Sequence, residues 1–396
     1  MTYGSVVIDR LVENGIDTVF GIPGKQTLPL NEAIDDRDDV QFVMARHETA
    51  VSHQAWGYAE TTGRPAATVV VPGPGDMNAM NGLKNALNDN TPLVHIAVET
   101  DPDVRGRDGI HETPPDTYDN VVKANRVVKN PEGIAAEVER AVATATTAPK
   151  GPVRLGIPKS FLPASGPSAA MEAVETPDPP APTPEAVTEA AGLLDSADAP
   201  VIIAGGGVRS ADASEELVTV AEQYDAPVLT SYKGKGVIPE DHPLSAGVLC
   251  GGTTPEMSEY VAEADACLAV GTDFDELVTR GRTLEVPESL VHITLSPDDV
   301  GTNYEPTVGL VADAKLALAA LITELPAADH QAATVADRLL EEPLRFAESE
   351  DMAVELLVPE GETETREAAD RAGFEHAGPG PAFEGERTVR YRLDPR

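Results

Sequence analysis

Short apolar runs, each ending in a sharp turn, recur through the first part of the chain. The runs and the turns that follow them are Thr18–Phe20 with Gly21-Ile22-Pro23-Gly24, Val40–Ala45 with Arg46-His47-Glu48, Ala66–Val71 with Pro72-Gly73-Pro74-Gly75, and Pro92–Val98. Such runs are typical of parallel strands that feed crossover helices and leave ligand sites at their carboxyl ends. The pattern predicts a doubly wound α/β domain with candidate binding residues in the turns and a helix beginning at Thr49.

A second set of alternating elements follows a proline-rich segment. Seven prolines between Pro163 and Pro184 make a stiff connector that cannot sustain a helix or a central strand. The elements predicted beyond it are strands at Pro200–Ala204, Ala226–Thr230, Asp265–Val270 and Leu290–Leu295, and helices at Ala211–Tyr224 and Ala312–Leu325. This alternation predicts a second doubly wound domain.

The last part of the chain predicts a smaller unit. After a charged stretch from Asp337 to Asp351, the elements favoured are a strand at Ala353–Pro359, a helix at Thr363–Ala372 and a strand at Thr388–Leu393. These residues resemble the final portion of a GNAT-type acetyltransferase domain without its Gly-rich pyrophosphate loop. Two interpretations stay open, an appended β-α-β unit and the remnant of a rearranged gene.

The predicted fold class is therefore α/β, with two doubly wound parallel-sheet domains joined by a Pro-rich linker and a small C-terminal α+β extension. The expected divisions are a first domain at 1–163, the linker at 164–184, a central domain at 185–328 and the extension at 329–396.

Acidic residues dominate the composition. The formal net charge is -38, from 67 acidic and 29 basic residues spread through the chain. We interpret this as a surface suited to high salt, where screening weakens self-repulsion, and an acidic interaction surface is the alternative. Nucleic acid is disfavoured as a partner because phosphate binding requires a basic footprint.

The cysteines and the hydropathy pattern predict a cytoplasmic protein. Cys250 and Cys267 are the only two cysteines and form no metal-binding spacing, so a reducing cytoplasm is expected. No secretory leader is evident, and no apolar run approaches the roughly 18 residues of a membrane span. The sequence also contains no nucleophile elbow, P-loop or zinc spacing.

Six short motifs in order make residues 3–163 resemble the pyrimidine-binding domain of thiamine-diphosphate enzymes, in the acetolactate synthase and pyruvate oxidase branch. The motifs are Val19-Phe20-Gly21-Ile22-Pro23-Gly24, Arg46-His47-Glu48, Gly57-Tyr58-Ala59, Gly73-Pro74-Gly75-Asp76-Met77-Asn78, Thr91-Pro92-Leu93, and Gly151-Pro152-Val153 with Ile157-Pro158. No single motif is specific to this family. Six motifs in order, at the family's spacing, are strong evidence for the resemblance.

The resemblance implies a catalytic role for Glu48. In the family, a glutamate hydrogen-bonds N1' of the cofactor's aminopyrimidine and favours the imino tautomer, whose nitrogen removes the proton from the thiazolium carbon. Such a role requires a carboxyl group within hydrogen-bonding reach in a partly desolvated site. The alternative is that Glu48 only starts a helix, because acidic residues favour the first turn.

Pro23, Gly24, Gly73 and Asn78 are the residues expected to shape the aminopyrimidine pocket together with Glu48. Glycine permits close backbone approach, and proline rigidifies a turn. The alternative is that all four are ordinary turn residues of an α/β sheet.

His111 is the second candidate catalytic residue. The stretch Ile110-His111-Glu112-Thr113-Pro114 stands where acetolactate synthases carry Phe-Gln-Glu-Thr-Pro, so the chain departs from the family at the glutamine. A histidine can donate a hydrogen bond to a carboxylate or transfer a proton near neutral pH, and a solvated loop histidine is the alternative. For His47 and His53, structural roles beside the strand end and on the helix are favoured.

Residues 184–326 resemble the central domain of the same enzymes. The matching stretches are Ala204-Gly205-Gly206-Gly207-Val208, Gly234-Lys235-Gly236 with Pro239-Glu240-Asp241-His242-Pro243-Leu244, and Ala269-Val270-Gly271-Thr272-Asp273-Phe274-Asp275. In acetolactate synthases this domain holds FAD, so FAD is one expected cofactor, and Asp225 lies near the offset of a ribose-binding acid. A central domain without a nucleotide is the alternative.

The signature of the family's diphosphate-binding domain is missing from the printed sequence. That domain holds magnesium through Gly-Asp-Gly and a downstream Asn-Asn, and neither occurs here. No residue of this chain is therefore assigned to a metal. Thiamine diphosphate is expected to bind by its pyrimidine end, with magnesium held by a diphosphate-binding chain in a homo- or hetero-oligomer.

Three functions stay open at this point. The first is an acetolactate synthase-like component that decarboxylates a small 2-keto acid and passes the product to an acceptor. The second is a nonoxidative 2-keto acid decarboxylase component, made more credible by His111. The third is a noncatalytic binding or regulatory subunit.

Overall fold

The computed structural model describes residues 1–114, 116–166, 177–324, 352–359, 361, 363–382 and 387–394, in two compact units, Met1–Pro179 and Pro180–Arg396. The whole of the charged stretch Asp337–Asp351 and the middle of the predicted linker lie outside the described residues. Among those described, no helix combines the length and the apolar character that crossing a membrane requires.

The first unit is built on a six-stranded sheet in which every pairing is parallel. Its strands are β1 (Thr18–Gly21), β2 (Gln41–Met44), β3 (Ala66–Val70), β4 (Leu93–Glu99), β5 (Ala124–Val127) and β6 (Val153–Pro158). Its helices are α1 (Tyr3–Glu13), α2 (Leu28–Asp35), α3 (Glu48–Thr62), α4 (Pro74–Asn78), α5 (Met80–Asn88) and α6 (Ile134–Thr146). The strand order β2-β1-β3-β4-β6-β5 confirms the doubly wound fold.

The burial of each strand explains whether the apolar pattern predicted it correctly. Strands β1, β3, β4 and β6 are buried along their whole length, as expected for a sheet covered on both faces. Strand β2 is an edge strand in which Gln41 and Met44 are exposed. It is shorter than the strand predicted from the apolar run Val40–Ala45. Strand β5, at the opposite edge, contains exposed Asn125 and was not predicted from its pattern.

Helices cover the sheet on both faces. One core contains Leu11 of α1 and Val138 of α6, and the other contains Val51 of α3 and Leu83 of α5. Helices α3 and α5 approach closely at Gly82, where a Cβ would overlap Ser52 Oγ and lie 2.7 Å from the backbone nitrogen of His53. Only glycine fits this contact without moving a helix.

A buried carboxylate ties α4 to the sheet. The side chain of Asp76 is completely buried and accepts hydrogen bonds from His95 Nε2 at 3.0 Å, Thr113 Oγ1 at 2.8 Å and Tyr118 OH at 2.6 Å. The guanidinium of Arg154, itself 1% exposed, donates from Nη2 at 2.6 Å and from Nε at 3.1 Å. We refer to Asp76 and these four partners as the Asp76 network.

The guanidinium of Arg154 links this network to the end of β4. Its Nη2 also bonds Glu99, and its Nη1 donates to Asn125 Oδ1 at 3.0 Å. Burial by itself raises the pKa of Asp76, but the hydrogen bond from His95 and the charge of Arg154 outweigh it and hold the pKa well below its usual range. Asp76 and Glu99 are thus buried together with the guanidinium of Arg154. A buried charge requires such a partner of opposite charge.

The second unit contains another six-stranded sheet with every pairing parallel. Its strands are β7 (Pro200–Ala204), β8 (Val228–Ser231), β9 (Ser245–Leu249), β10 (Ala266–Val270), β11 (Leu290–Thr294) and β12 (Val308–Val311). Its helices are α7 (Pro184–Asp195), α8 (Gly206–Ser210), α9 (Ser214–Tyr224), α10 (Pro255–Glu263) and α11 (Ala314–Glu324). The order β12-β11-β10-β7-β8-β9 is again doubly wound.

The described residues from 352 onward form the helix Thr363–Arg371 and a small antiparallel sheet. Its strands are β13 (Val354–Pro359), β14 (Glu375–Pro379) and β15 (Thr388–Leu393), in the order β13-β15-β14. This confirms an α+β extension, but the prediction of a β-α-β unit is wrong. Strand β14 was missed because exposed His376, Gly378 and the terminal proline weaken its strand pattern.

Substitution of Gly82 by alanine tests the α3–α5 contact. We expect Gly82→Ala to lower the free energy of unfolding of the first unit by about 1 to 2 kcal/mol, because overpacking outweighs the gain in helix propensity. Trp56 on α3 is the only tryptophan, so its fluorescence in a denaturant titration reports this unit. The matched control is Gly57→Ala on α3, whose Cβ meets no heavy atom within 4 Å and should stabilise slightly. Equal effects of the two substitutions would contradict the packing argument.

Replacement of Asp76 tests the buried pair. Asp76→Asn leaves Arg154 partly uncompensated, so we expect it to cost about 3 to 5 kcal/mol at neutral pH. Because the folded pKa of Asp76 lies below its unfolded value of roughly 3.9, its contribution is fully present above that pH and is lost as the pH falls further. The stability difference between wild type and variant should therefore be constant from about pH 7 to 5 and narrow below about pH 4.

The exposed pair formed by Arg37 and Asp39 provides the control for this measurement. Asp39→Asn should leave the unfolding free energy nearly unchanged, because water and salt screen an exposed pair. A wild-type-to-variant difference for Asp76→Asn that did not change with acidification would show that Asp76 is not ionised in the folded chain.

Candidate active site

The predicted site residues lie at the carboxyl edge of the first sheet. Strand β1 pairs with β2 on one side and with β3 on the other, so the chain reverses its direction of winding beside β1. In doubly wound sheets, ligands bind in the crevice at this point. The turns after β1, β2 and β3 carry Gly24, Glu48 and Gly73, respectively.

Glu48 is the first residue of α3, one position before the predicted helix start. His47 caps the helix, since its Nδ1 accepts a hydrogen bond from the backbone N–H of Thr49 at 3.2 Å. The Glu48 side chain is half-buried, and its Oε2 accepts a hydrogen bond from Asn78 Nδ2 at 3.1 Å. Thr49 Oγ1 in turn donates to the backbone oxygen of Asn78 at 2.8 Å, which joins the start of α3 to the end of α4.

The other carboxylate oxygen of Glu48 faces a glycine turn. A Cβ on Gly75 would lie 3.3 Å from Glu48 Oε1 and 2.6 Å from Val71 Cγ2. Val71 also fills the space beside Gly24, where a Cβ would overlap its Cγ1. Exposed Pro23 precedes Gly24 in the same turn. Glycine at position 75 thus brings one turn close to the Glu48 carboxylate, and Gly24 packs the preceding turn against Val71.

Gly73 brings the loop that carries His111 to the other side of the same turn. Gly73 has φ +66°, and a Cβ there would overlap the backbone oxygen of Ile110 and lie 2.8 Å from His111 Cα. His111 is exposed at the end of a short 3-10 helix, Gly109–His111. The structure therefore brings both predicted catalytic residues, Glu48 and His111, to the turn Gly73–Gly75.

Polar contacts anchor the His111 loop to the sheet edge. Thr100 Oγ1 donates to the backbone oxygen of His111 at 3.2 Å and to Asp108 Oδ2 at 2.9 Å. Lys159 pairs with Asp108 at 3.0 Å, and the hydrogen bond from this lysine holds the pKa of the Asp108 carboxyl below its usual value. These contacts hold His111 near the turn without covering it.

The remaining predicted histidine has a helical role. His53 Nδ1 lies 2.7 Å from the backbone oxygen of Thr49, and its Nε2 lies 3.3 Å from Asn85 Nδ2. His53 therefore packs between α3 and α5, in agreement with the structural interpretation favoured from its sequence position.

The Asp76 network is the feature that sequence reasoning missed. Asp76 was recognised only as one letter of the motif around Gly73, although it is buried directly behind the turn. A signal was present in the sequence, because His95 and Arg154 interrupt apolar strands that are otherwise buried on both faces. A charged residue in such a strand requires a buried partner of opposite charge.

The described part of the chain offers no metal centre. It contains no group of three or more His, Cys, Asp or Glu side chains arranged to hold a metal ion. Asn78 fixes Glu48 Oε2, and the residue facing Oε1 is Gly75, which has no side chain. The chemistry available here is thus that of one oriented carboxylate beside an exposed imidazole.

The triple glycine of the second unit serves backbone packing. A Cβ on Gly205 would overlap the backbone oxygen of Gly271, and one on Gly207 would lie 2.6 Å from Gly271 Cα. The backbone N–H groups of Gly205 and Gly207 donate to the carbonyls of Val270 and Gly271 at 2.8 and 2.9 Å. These N–H groups are therefore not turned toward a phosphate.

Asp225 does not have the position of a ribose-binding acid. It ends helix α9 in the left-handed conformation and precedes β8, at the amino edge of the sheet. The turn at Gly205 follows β7 at the carboxyl edge. Asp225 follows the glycine turn at nearly the expected distance along the sequence. In the sheet, however, Asp225 and Gly205 lie at opposite edges.

Two family models match the chain. Residues 1–120 match the thiamine pyrophosphate enzyme N-terminal TPP binding domain, and residues 187–321 match the thiamine pyrophosphate enzyme central domain. The matched residues make up more than half of the chain.

Individual relatives agree with these matches. The chain is 32% identical over 333 residues to the probable acetolactate synthase large subunit of Methanocaldococcus jannaschii, covering 82% of this chain and 56% of that protein. It is also 32% identical over 345 residues to a probable 2-ketoarginine decarboxylase of Pseudomonas aeruginosa, covering 86% of this chain and 61% of that protein.

A solved structure shows the same fold. The structure described as a putative thiamin diphosphate-dependent enzyme from Mycobacterium smegmatis superimposes with a TM-score of 0.73 at 28% identity, covering 84% of this chain and 64% of that one. The chain spans little more than half the length of the curated relatives it matches. The site at the carboxyl edge of the first sheet, the two family models and these relatives together show that the chain belongs to the thiamine pyrophosphate enzymes.

Proposed function

We propose that the chain is a component of an acetolactate synthase-like enzyme that decarboxylates a small 2-keto acid and joins the product to an acceptor. The observation that carries this proposal is the half-buried Glu48 carboxylate at the sheet's switch point, held by Asn78 and faced by Gly75. The M. jannaschii relative, whose name is that of an acetolactate synthase large subunit, supports the substrate class.

Glu48 has the position to polarise the aminopyrimidine of thiamine diphosphate. When bound, thiamine diphosphate would supply the carbanion chemistry that decarboxylation of a 2-keto acid requires, and the residues of this chain would hold and orient its pyrimidine end. Asn78 already donates a hydrogen bond to Glu48 Oε2. We therefore assign the other oxygen, Glu48 Oε1 on the side of Gly75, to the contact with the ring nitrogen. Pro23, Gly24 and Gly73 shape the walls against which the ring lies.

His111 has the position to act on the substrate side of the same turn. Its backbone is fixed by Gly73 and Thr100, whereas its side chain is exposed. An imidazole there can orient the carboxylate of a 2-keto acid or deliver a proton near neutral pH.

We propose further that a partner chain holds the diphosphate and its magnesium ion in a homo- or hetero-oligomer. The two matched regions are an N-terminal TPP binding domain and a central domain, and the match covers 56% of the M. jannaschii relative. The M. jannaschii relative is named as a large subunit, which supports assembly with other chains. FAD is not included, because the N–H groups of Gly205 and Gly207 already donate to backbone carbonyls.

A nonoxidative 2-keto acid decarboxylase component is the second candidate. It is favoured by His111, which supplies a proton donor where the acetolactate synthase branch has glutamine, and by the relative named as a 2-ketoarginine decarboxylase. A noncatalytic binding subunit is the outcome if neither reaction occurs in the assembled complex.

Substitution of Glu48 tests the mechanism. We expect Glu48→Gln to reduce turnover of pyruvate at least about 100-fold, because an amide cannot share a proton with the ring nitrogen as a carboxyl group does. The assay uses the full chain reconstituted with thiamine diphosphate, magnesium and a diphosphate-binding chain co-purified from the native host. Circular dichroism should show unchanged folding.

The exposed Glu32 on α2 supplies the matched control, since Glu32→Gln makes the same chemical change away from the turn and should leave turnover unchanged. Unchanged turnover in Glu48→Gln would remove Glu48 from the mechanism.

Product analysis separates the two enzymatic candidates. With pyruvate as the sole substrate, we expect acetolactate from the reconstituted wild-type complex. His111→Gln, which introduces the residue of the acetolactate synthase branch, should raise the ratio of acetolactate to acetaldehyde by about tenfold, because it removes a proton donor that competes with the carbon acceptor. Acetaldehyde as the main product of both proteins, measured by chromatography, would favour the decarboxylase.

A further inference from the structure

The buried carboxylate of Asp76 lies between the two candidate catalytic residues. Asp76 belongs to α4, next to Gly75 and two positions before Asn78. Its carboxylate points away from the turn into the core, where it is completely buried. It therefore cannot touch a ligand at the turn, but it can determine where the turn and its neighbours are held.

The first connection runs from Asp76 to Glu48. Helix α4 has only five residues, so it is too short to be stable without tertiary contacts. Its contacts to the rest of the unit include the hydrogen bonds at the Asp76 side chain and the approach of Tyr118 OH to the Asp76 backbone oxygen at 2.7 Å, and Thr49 Oγ1 donates to the Asn78 backbone oxygen at the end of the helix. Asn78, at the end of this helix, donates to Glu48. Fixing Asp76 thus fixes the donor that orients the Glu48 carboxylate.

The second connection runs from Asp76 to His111. Thr113 Oγ1 donates to Asp76 Oδ2 at 2.8 Å, two residues beyond His111. The same oxygen accepts from Arg154 Nη2 at 2.6 Å, so the loop is attached to a charge that the cation holds in place. Charge-assisted hydrogen bonds of this length are strong and directional.

We propose that Asp76 is a positioning residue that sets the approach of both Glu48 and His111 to the aminopyrimidine site. The part that concerns the reaction rests on the proposed function. The mechanical part, that one buried carboxylate holds both segments, does not depend on it.

Hydrogen exchange of the full chain tests the mechanical part. In Asp76→Asn, one acceptor oxygen becomes an NH2 group, which donates and cannot accept, so the side chain can no longer accept from all the donors of the Asp76 network. We expect exchange at residues 73–79 and 109–114 to quicken by at least about tenfold in both segments together. The control is Leu11→Ala, a buried substitution on α1, which should destabilise the unit without quickening these two segments selectively. Unchanged exchange at both segments in Asp76→Asn would overturn the proposal.

Two further variants separate the connections and remain informative if Asp76→Asn does not fold. Thr113→Val removes the hydroxyl donor to Asp76 with little change of shape, and it should quicken exchange at 109–114 but not at 73–79. Asn78→Ala removes only the bond to Glu48 and should leave 109–114 protected. Protection at 109–114 in Thr113→Val equal to that of wild type would overturn the role of Asp76 in holding the His111 loop.

Kinetics of the reconstituted complex test the catalytic part. We expect Asp76→Asn to lower kcat by at least about tenfold while KM for the 2-keto acid changes less than about threefold, since the ground-state contacts of the substrate are retained. A purely structural residue would leave the kcat of the folded fraction unchanged, and that result would overturn the catalytic part. Glu48→Gln at full activity would instead refute the proposed function while leaving the exchange result intact.

Discussion

The ion pair of Asp76 and Arg154 is the interaction on which the first unit's site depends. Two carboxylates, Asp76 and Glu99, share one guanidinium in a region closed to water. Burial alone would favour the neutral acid, but the cation and the hydrogen-bond donors reverse that preference at Asp76. Because an ionised carboxylate in the core cannot move without losing several charge-assisted bonds, the short helix that carries it is fixed in place.

This arrangement differs from the ion pairs on the surface of the same unit. The chain has a net charge of -38, and exposed pairs such as Arg64 and Asp17 are screened by salt. The Asp76 network is shielded from solvent, so ionic strength changes its internal attraction little. The geometry at Glu48 is therefore set by contacts that the electrostatics of the acidic surface hardly influence.

Periodicity and turn chemistry were sufficient for the doubly wound folds, because buried parallel strands such as β3 and β7 are nearly uniform in apolar character. The edge strands β5, β9 and β12 and the antiparallel strand β14 were missed, since exposed or half-buried positions dilute their apolar patterns. Glu48 and Gly73 could be found from their positions in turns after strands. Asp76 could not be assigned in this way, because its partners His95 and Arg154 come from distant parts of the sequence and only tertiary packing brings them together.

The two sheets show why function here must be argued from side chains and not from fold. Both sheets reverse their winding at a glycine-rich turn, after β3 in one unit and after β7 in the other. At Gly205 and Gly207 the glycines allow two backbone segments to pack against each other, and the N–H groups are already used. At Gly75 the absent side chain instead keeps space beside an oriented carboxylate. The same topology thus packs backbone against backbone at one carboxyl edge and places an oriented carboxylate at the other, and the difference lies in what each glycine faces.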